Sequence, residues 1–152
     1  MLRAGGILWL AMMAISWGVY QLAPTIPSDG QVVYVVSLLG KLQLYTSDLS
    51  HDLTVSLHSS DSNDFLPTVS TENGDIVFVT DRYGDAELFM LSANGHHLHQ
   101  LTDNEHDDLY PQWSPDGSQL LVQANPDGIS QFFLMDNKGT NLRQLTDIPQ
   151  AI

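Results

Sequence analysis

Pro111-Gln112-Trp113-Ser114-Pro115-Asp116-Gly117 is a strand end running into a tight turn. Pro115 presets φ at about −65°, and Asp116 and Gly117 are residue types that accept the positive φ a hairpin turn demands. Residues 118–123 then read as the returning strand. One such turn is ordinary. This one carries weight because it comes back.

Shifting the chain by 44 residues superposes Pro67 on Pro111, Ser70 on Ser114, Gly84 on Gly128, Phe89 on Phe133, Gly95 on Gly139 and Leu98 on Leu142. The same shift lays Gln100-Leu101-Thr102-Asp103 on Gln144-Leu145-Thr146-Asp147. All fall at one offset without a gap, so two copies of a repeat are present. A third lies one period upstream, where Gly30, Gly40 and Leu57 stand 44 residues before Gly74, Gly84 and Leu101. Its turn, Pro24 to Gly30, keeps the spacing from Pro to Asp-Gly of residues 111–117, and its end, 47–64, is worn down to Ser and Asp.

Each unit reads as four short strands bounded by turn signals. The first leads into Trp113 or Val69; the second covers 119–124, 75–80 or 31–36; the third, 131–135 or 87–91, follows Gly128 or Gly84. A turn at Gly95 or Gly139 then leads to a fourth strand, 97–101 or 141–145, whose alternation of polar and apolar residues leaves one face in water. Four antiparallel strands in about 44 residues make one propeller blade. The fold class is therefore all-β, three four-stranded antiparallel blades over residues 24–66, 67–110 and 111–152, preceded by an N-terminal segment, 1–23.

That N-terminal segment carries no charge from residue 5 to residue 23 and has Arg3 as its one basic residue. Nineteen uncharged residues span a bilayer if helical, and Trp17 and Tyr20 suit its interface. The reading is a membrane-anchoring hydrophobic helix with the repeats extracytoplasmic, in the periplasm or at the cell surface; the alternative is a cleaved signal and a secreted chain.

Eighteen acidic against five basic residues give a net charge of −13. Such a field repels phosphate backbones, so nucleic acid is excluded as a partner, while cations and basic proteins fit. The chain has no cysteine, hence no disulfide frame and no thiolate chemistry.

The repeats resemble the WD-like units of TolB-type β-propellers, which carry Pro-x-Trp-Ser-Pro-Asp-Gly and close on Leu-Thr. Pro111, Trp113, Ser114, Pro115, Asp116 and Gly117 match in full, Leu101-Thr102 and Leu145-Thr146 match the end, and Gly84 and Gly128 mark the turn between. The second copy departs, with Val69 for Trp and Thr71-Glu72-Asn73-Gly74 for Pro-Asp-Gly. The resemblance implies a propeller that binds or gates and says nothing specific about activity. Three blades do not close a ring of four to eight. Further blades, a protein partner or a homo-oligomer are thus expected.

Candidate chemistry is sparse. Asp103, Glu105, Asp107 and Asp108 with Asn104 supply hard oxygen donors of the kind Ca²⁺ takes, without the fixed spacing of a calcium loop; a solvated connection between units is the stronger reading. His96, His97 and His99 fall where the next copy has Thr140, Asn141 and Arg143, which reads as an exposed edge strand. Trp113, Phe132 and Phe133 read as core. No nucleophile elbow, zinc-protease helix or phosphate loop is present. No other cofactor is expected. The function expected is a non-catalytic, membrane-anchored extracytoplasmic module for protein binding or scaffolding. The alternatives are the propeller of a larger peptidase- or lyase-type enzyme with its active site elsewhere, and a cation- or sugar-binding propeller.

Overall fold

The computed structural model describes residues 19–22, 31–48, 53–58 and 60–149. They form twelve strands in three four-stranded antiparallel sheets, each laid down in sequence order. The first sheet holds β1 (Val19–Leu22), β2 (Gln31–Leu38), β3 (Lys41–Asp48) and β4 (Leu53–Ser56). The second holds β5 (Asp64–Val69), β6 (Ile76–Thr80), β7 (Glu87–Leu91) and β8 (Leu98–Gln100), and the third β9 (Asp108–Trp113), β10 (Gln119–Ala124), β11 (Gln131–Asp136) and β12 (Arg143–Gln144). The sheets begin a few residues before the sequence units, because Pro67 and Pro111 lie within first strands rather than at their starts.

The N-terminal helix is corrected at one end. Val19–Leu22, read as the close of that helix, pairs antiparallel with β2 as a strand. Residues 1–18 lie outside the described residues. Among the described residues no helix is long and apolar enough to cross a membrane.

Turn chemistry sets the register. Leu39 and Gly40 take φ 53 and 82, so a two-residue turn of the primed kind zips eight pairs, Gln31↔Asp48 to Leu38↔Lys41. In the other two sheets residues 81–86 and 125–130 make the same connection as longer loops. A second device recurs in the first strands of the second and third sheets: Leu66 and Tyr110, each just before the repeated Pro, take φ 50 and 52, and the pairing shifts there, between Phe65 and Thr68 and between Leu121 and Gln123. These bulges bend the first strand of the blade and are repeated 44 residues apart.

The core lies between the sheets rather than inside one. Val33, Val35 and Leu44 of the first meet Val69, Ile76, Phe78, Phe89 and Leu91 of the second. The opposite face of the second, Val77, Val79 and Leu88, meets Leu120, Val122 and Met135 of the third, with Trp113 packed alongside. Because β6 faces a neighbour on both sides, all five of its residues are buried, which reads in the sequence as the unbroken apolar run Ile76-Val77-Phe78-Val79. Burying side chains of this size contributes roughly 1.5–3 kcal/mol each.

Phe132 departs from the core assignment made for it. It is 41% exposed. It points to the side of the third sheet that no described sheet covers.

Candidate functional site at the blade junctions

The polar side chains that join one sheet to the next repeat with the offset of the sequence. Leu42 N donates to Asn63 Oδ1 at 3.1 Å, and 44 residues later Ala86 N donates to Asp107 Oδ1 at 2.9 Å. Ser60 Oγ donates to Asp64 Oδ2 at 3.0 Å, and Asn104 Nδ2 to Asp108 Oδ2 at 2.7 Å. The first junction also carries a buried ion pair, Arg82 Nη2 to Asp64 Oδ1 at 3.2 Å, with the guanidinium 4.4 Å from the centre of the Phe89 ring. Asn63 adds two bonds to Asp81, from its backbone N at 2.8 Å and its side-chain amide at 2.6 Å. Burial would raise the Asp81 carboxyl, but these amides and the Lys41 charge win and hold it below its usual value.

A leucine closes each sheet, followed by threonine in the second and third. Leu57, Leu101 and Leu145 donate their backbone N to the carbonyls of Leu44, Leu88 and Phe132 at 3.0, 2.8 and 2.7 Å. Thr102 and Thr146 accept from Leu88 N and Phe132 N, both at 2.9 Å, so the hydroxyl continues the ladder where the strand ends. Each hydroxyl then donates inward, Thr146 Oγ1 to Gln131 Oε1 at 2.7 Å and Thr102 Oγ1 to Glu87 Oε2. Two residues on, Ile148 N donates to Gln131 Oε1 at 3.0 Å and Asn104 N to Glu87 Oε1 at 2.6 Å. Replacing Thr146 with Val should cost about 1 kcal/mol, the typical worth of a part-exposed bond, as read by chemical denaturation.

One position breaks the pattern. At the repeat position held by Glu87 in β7, the first sheet has Gln43 in β3 and the third has Gln131 in β11. Glu87 is 2% exposed and Asp108 4%. Burial, with added repulsion from Asp108 and Asp85, pushes the Glu87 carboxyl up to about 7 against the opposing bonds from Thr102 and Asn104. Burial likewise raises Asp108, against bonds from Asn104 and Thr102 and the nearby His106. A carboxyl pair is therefore buried at the second junction, where the third sheet uses a neutral amide for the same contacts.

The acidic run does not converge. Asp108 turns inward, Asp107 caps Ala86, and Asp103 and Glu105 are exposed. Among the described residues no group of three or more His, Cys, Asp or Glu side chains is placed to hold a metal ion. His96, His97 and His99 are exposed on and beside β8. Asp116 folds back on its turn, where bonds from Ser114, then Ser118, lower its carboxyl to about 2. At the turn end of the sheets a groove of about 750 Å³ separates the first sheet from the second, bounded by Thr46, Ser56, Ser70, Glu72, Asn73 and His96 among others.

Sheets of four antiparallel strands packed face to face through repeated pegs define an incomplete β-propeller. The chain belongs to the TolB beta propeller domain family, whose profile matches residues 14–150. Among solved structures it is similar to a putative TolB from Agrobacterium tumefaciens, at 20% identity and a TM-score of 0.76, over 84% of this chain and 49% of that one. It is also similar to an oligogalacturonate lyase in complex with manganese, at 16% identity and a TM-score of 0.71, over 88% of this chain and 43% of that one. A third is TolB from Acinetobacter baumannii, at 17% identity and a TM-score of 0.70, over 86% of this chain and 33% of that one. The chain thus spans half or less of the length of these structures. A comparison with curated protein sequences returned no match.

Proposed function

We propose that the chain is a non-catalytic, extracytoplasmic propeller module that binds protein through the turn rim between its first and second sheets. The observation that carries this reading is the division of polar groups. Among the buried ones, Asp64, Thr80, Glu87, Asp108 and Gln131 are engaged in bonds at the blade junctions. Those around the rim groove, Thr71, Glu72, Asn73, Asn94 and His96, stand on short exposed turns. A frame whose buried carboxyl and Gln131 groups are bonded internally, leaving Thr46 Oγ1, Gln100 Nε2 and Trp113 Nε1 as buried atoms without a partner among the described residues, and whose rim carries exposed polar turns, is suited to contact rather than turnover. The apolar N-terminal segment supports an extracytoplasmic location. With β1 taking Val19–Leu22, residues 5–18 number 14, short of the roughly 20 needed to span a bilayer and within the apolar length of an export signal.

The similarity to the lyase keeps a second reading in view, a propeller part of a larger enzyme. A photoreactive side chain at His96 should trap a discrete protein in intact cells, and one at Asp127, on the opposite turns, should not. Equal trapping from both positions, or cleavage of peptide or oligogalacturonate by the purified chain, would sink the proposal.

A further inference from the structure

The third sheet carries a face built as half of an interface already present in the molecule. Leu121, Phe132, Leu134 and Leu145 stand 44 residues after Val77, Leu88, Met90 and Leu101, which pack against the third sheet. Val77 and Leu88 are 0% exposed, whereas Phe132 and Leu145 are 41% and 44% exposed. No carboxylate lies among these positions, in a chain with 18 of them. The polar pair on the same face bonds to itself, Gln123 Nε2 donating to Ser130 Oγ at 3.1 Å.

The matching half stands at the other end of the arc. The second sheet presents Phe78 and Phe89 to the first, with ring centres 6.3 Å apart and planes at 37°. Forty-four residues earlier, on the outward face of the first sheet, Tyr34 and Tyr45 repeat that pair at 6.3 Å and 29°, with Val32 in the place of Ile76. Tyr34 Oη is bonded to Ser47 Oγ at 2.8 Å, so one of the pair's two hydroxyls is engaged within the sheet while the rings offer apolar faces. Tyr, with an apolar ring and a polar tip, is enriched at protein interfaces.

We propose that the occupant of the third sheet's face is a second copy of this chain, the Tyr34–Tyr45 face of each copy covering the Phe132–Leu134 face of the other. Two such contacts related by a twofold axis close a ring of six sheets, within the four to eight of closed propellers. The chain matches 49% of the length of the Agrobacterium structure, so two copies supply about one such length. This ring is independent of the rim contact proposed above, and either stands if the other fails.

The chain has no cysteine, which makes cross-linking clean. The double variant Tyr45→Cys with Leu134→Cys, oxidised in mild detergent, should give a covalent dimer of 16.8 kDa chains that neither single variant gives. Adding Phe132→Asp, at an exposed site, should weaken dimer formation at least about tenfold with unchanged circular dichroism. Three results overturn the proposal. One is self-linking of the Leu134→Cys single variant, which means open faces stacked on each other. Another is a ladder of trimers and longer species, which means an open head-to-tail chain. The third is a full chain that sediments as a monomer and does not cross-link, as it would if further blades of a longer polypeptide covered the face.

Discussion

Replacing Glu87 with Gln should stabilise the chain above pH 7 and leave it nearly unchanged below pH 4.5. The folded Glu87 carboxyl titrates at about 7 against a usual 4.5. A group raised in the folded state contributes stability that is complete below the unfolded value and is lost as pH climbs through the folded one. At pH 8 the native protein therefore holds a buried carboxylate beside Asp108 that the bonds from Thr102 and Asn104 only partly offset. At about 1.4 kcal/mol per unit over the rise from 4.5 to about 7, relieving it is worth on the order of 3 kcal/mol. Gln fits the place: Gln131 makes the corresponding contacts one blade on, accepting from Thr146 and Ile148 N and donating Nε2 to the Ile148 carbonyl at 3.0 Å. Urea denaturation at pH 5 and pH 8 reads the effect. The variant should keep only the weaker slope left by Asp108, whose carboxyl is also raised. Loss of stability at pH 8 on making the change would mean that Glu87 is held as a favourable anion, and the argument from burial would fall.

The repeat in the sequence carried the strand order and the turn positions, because the residues that force turns are the ones a shift by 44 aligns. Asp116-Gly117 and Gly139 are legible without coordinates, since positive φ selects so few residue types. The alternation of apolar residues in 119–124 likewise shows which side chains meet the second sheet. Other features had no local signature. The bulges at Leu66 and Tyr110 put ordinary side chains at positive φ, and only pairing across the sheet reveals them. Val19–Leu22 was hidden inside an uncharged run that reads as helix by composition alone, whereas its pairing with Val36, Val35 and Tyr34 makes it a strand. The junction network was half legible. Leu-Thr is visible as an identity, but Glu87 sits in a column of Gln43 and Gln131, so a search for identities passes over it. Aligning chemical roles instead of letters would have marked it. Phe132 was misplaced for a related reason: its column holds the buried Leu88, and the sequence does not say that no described sheet covers it.

Substituting Gly139 by Ala should be far more damaging than the same change at Gly95, although the two glycines occupy the same turn of consecutive blades. Their backbones are alike, φ 77 and 74, so the strain of placing Ala in the left-handed region, about 1–2 kcal/mol, is common to both. Their surroundings differ. A Cβ on Gly95 meets nothing within 4 Å, while one on Gly139 falls 2.4 Å from the Leu101 carbonyl oxygen and 3.0 Å from its Cα. That backbone cannot retreat, since Leu101 N is bonded to the Leu88 carbonyl and its side chain is 7% exposed in the core between second and third sheets. Relieving the overlap must therefore push the third blade off the second, and overpacking against fixed backbone costs a further 1–3 kcal/mol or so. Unfolding free energies should fall by about 1–2 kcal/mol for Gly95→Ala and about 2–5 kcal/mol for Gly139→Ala. Equal losses would show that the third sheet does not rest on Leu101, and with that the junction itself would have to be redrawn. The asymmetry also bears on assembly. Gly139 is where one blade seats on the previous one, so a variant that loosens this seat should unsettle the Phe132–Leu134 face and weaken the cross-link from Tyr45→Cys to Leu134→Cys, whereas Gly95→Ala should leave it intact.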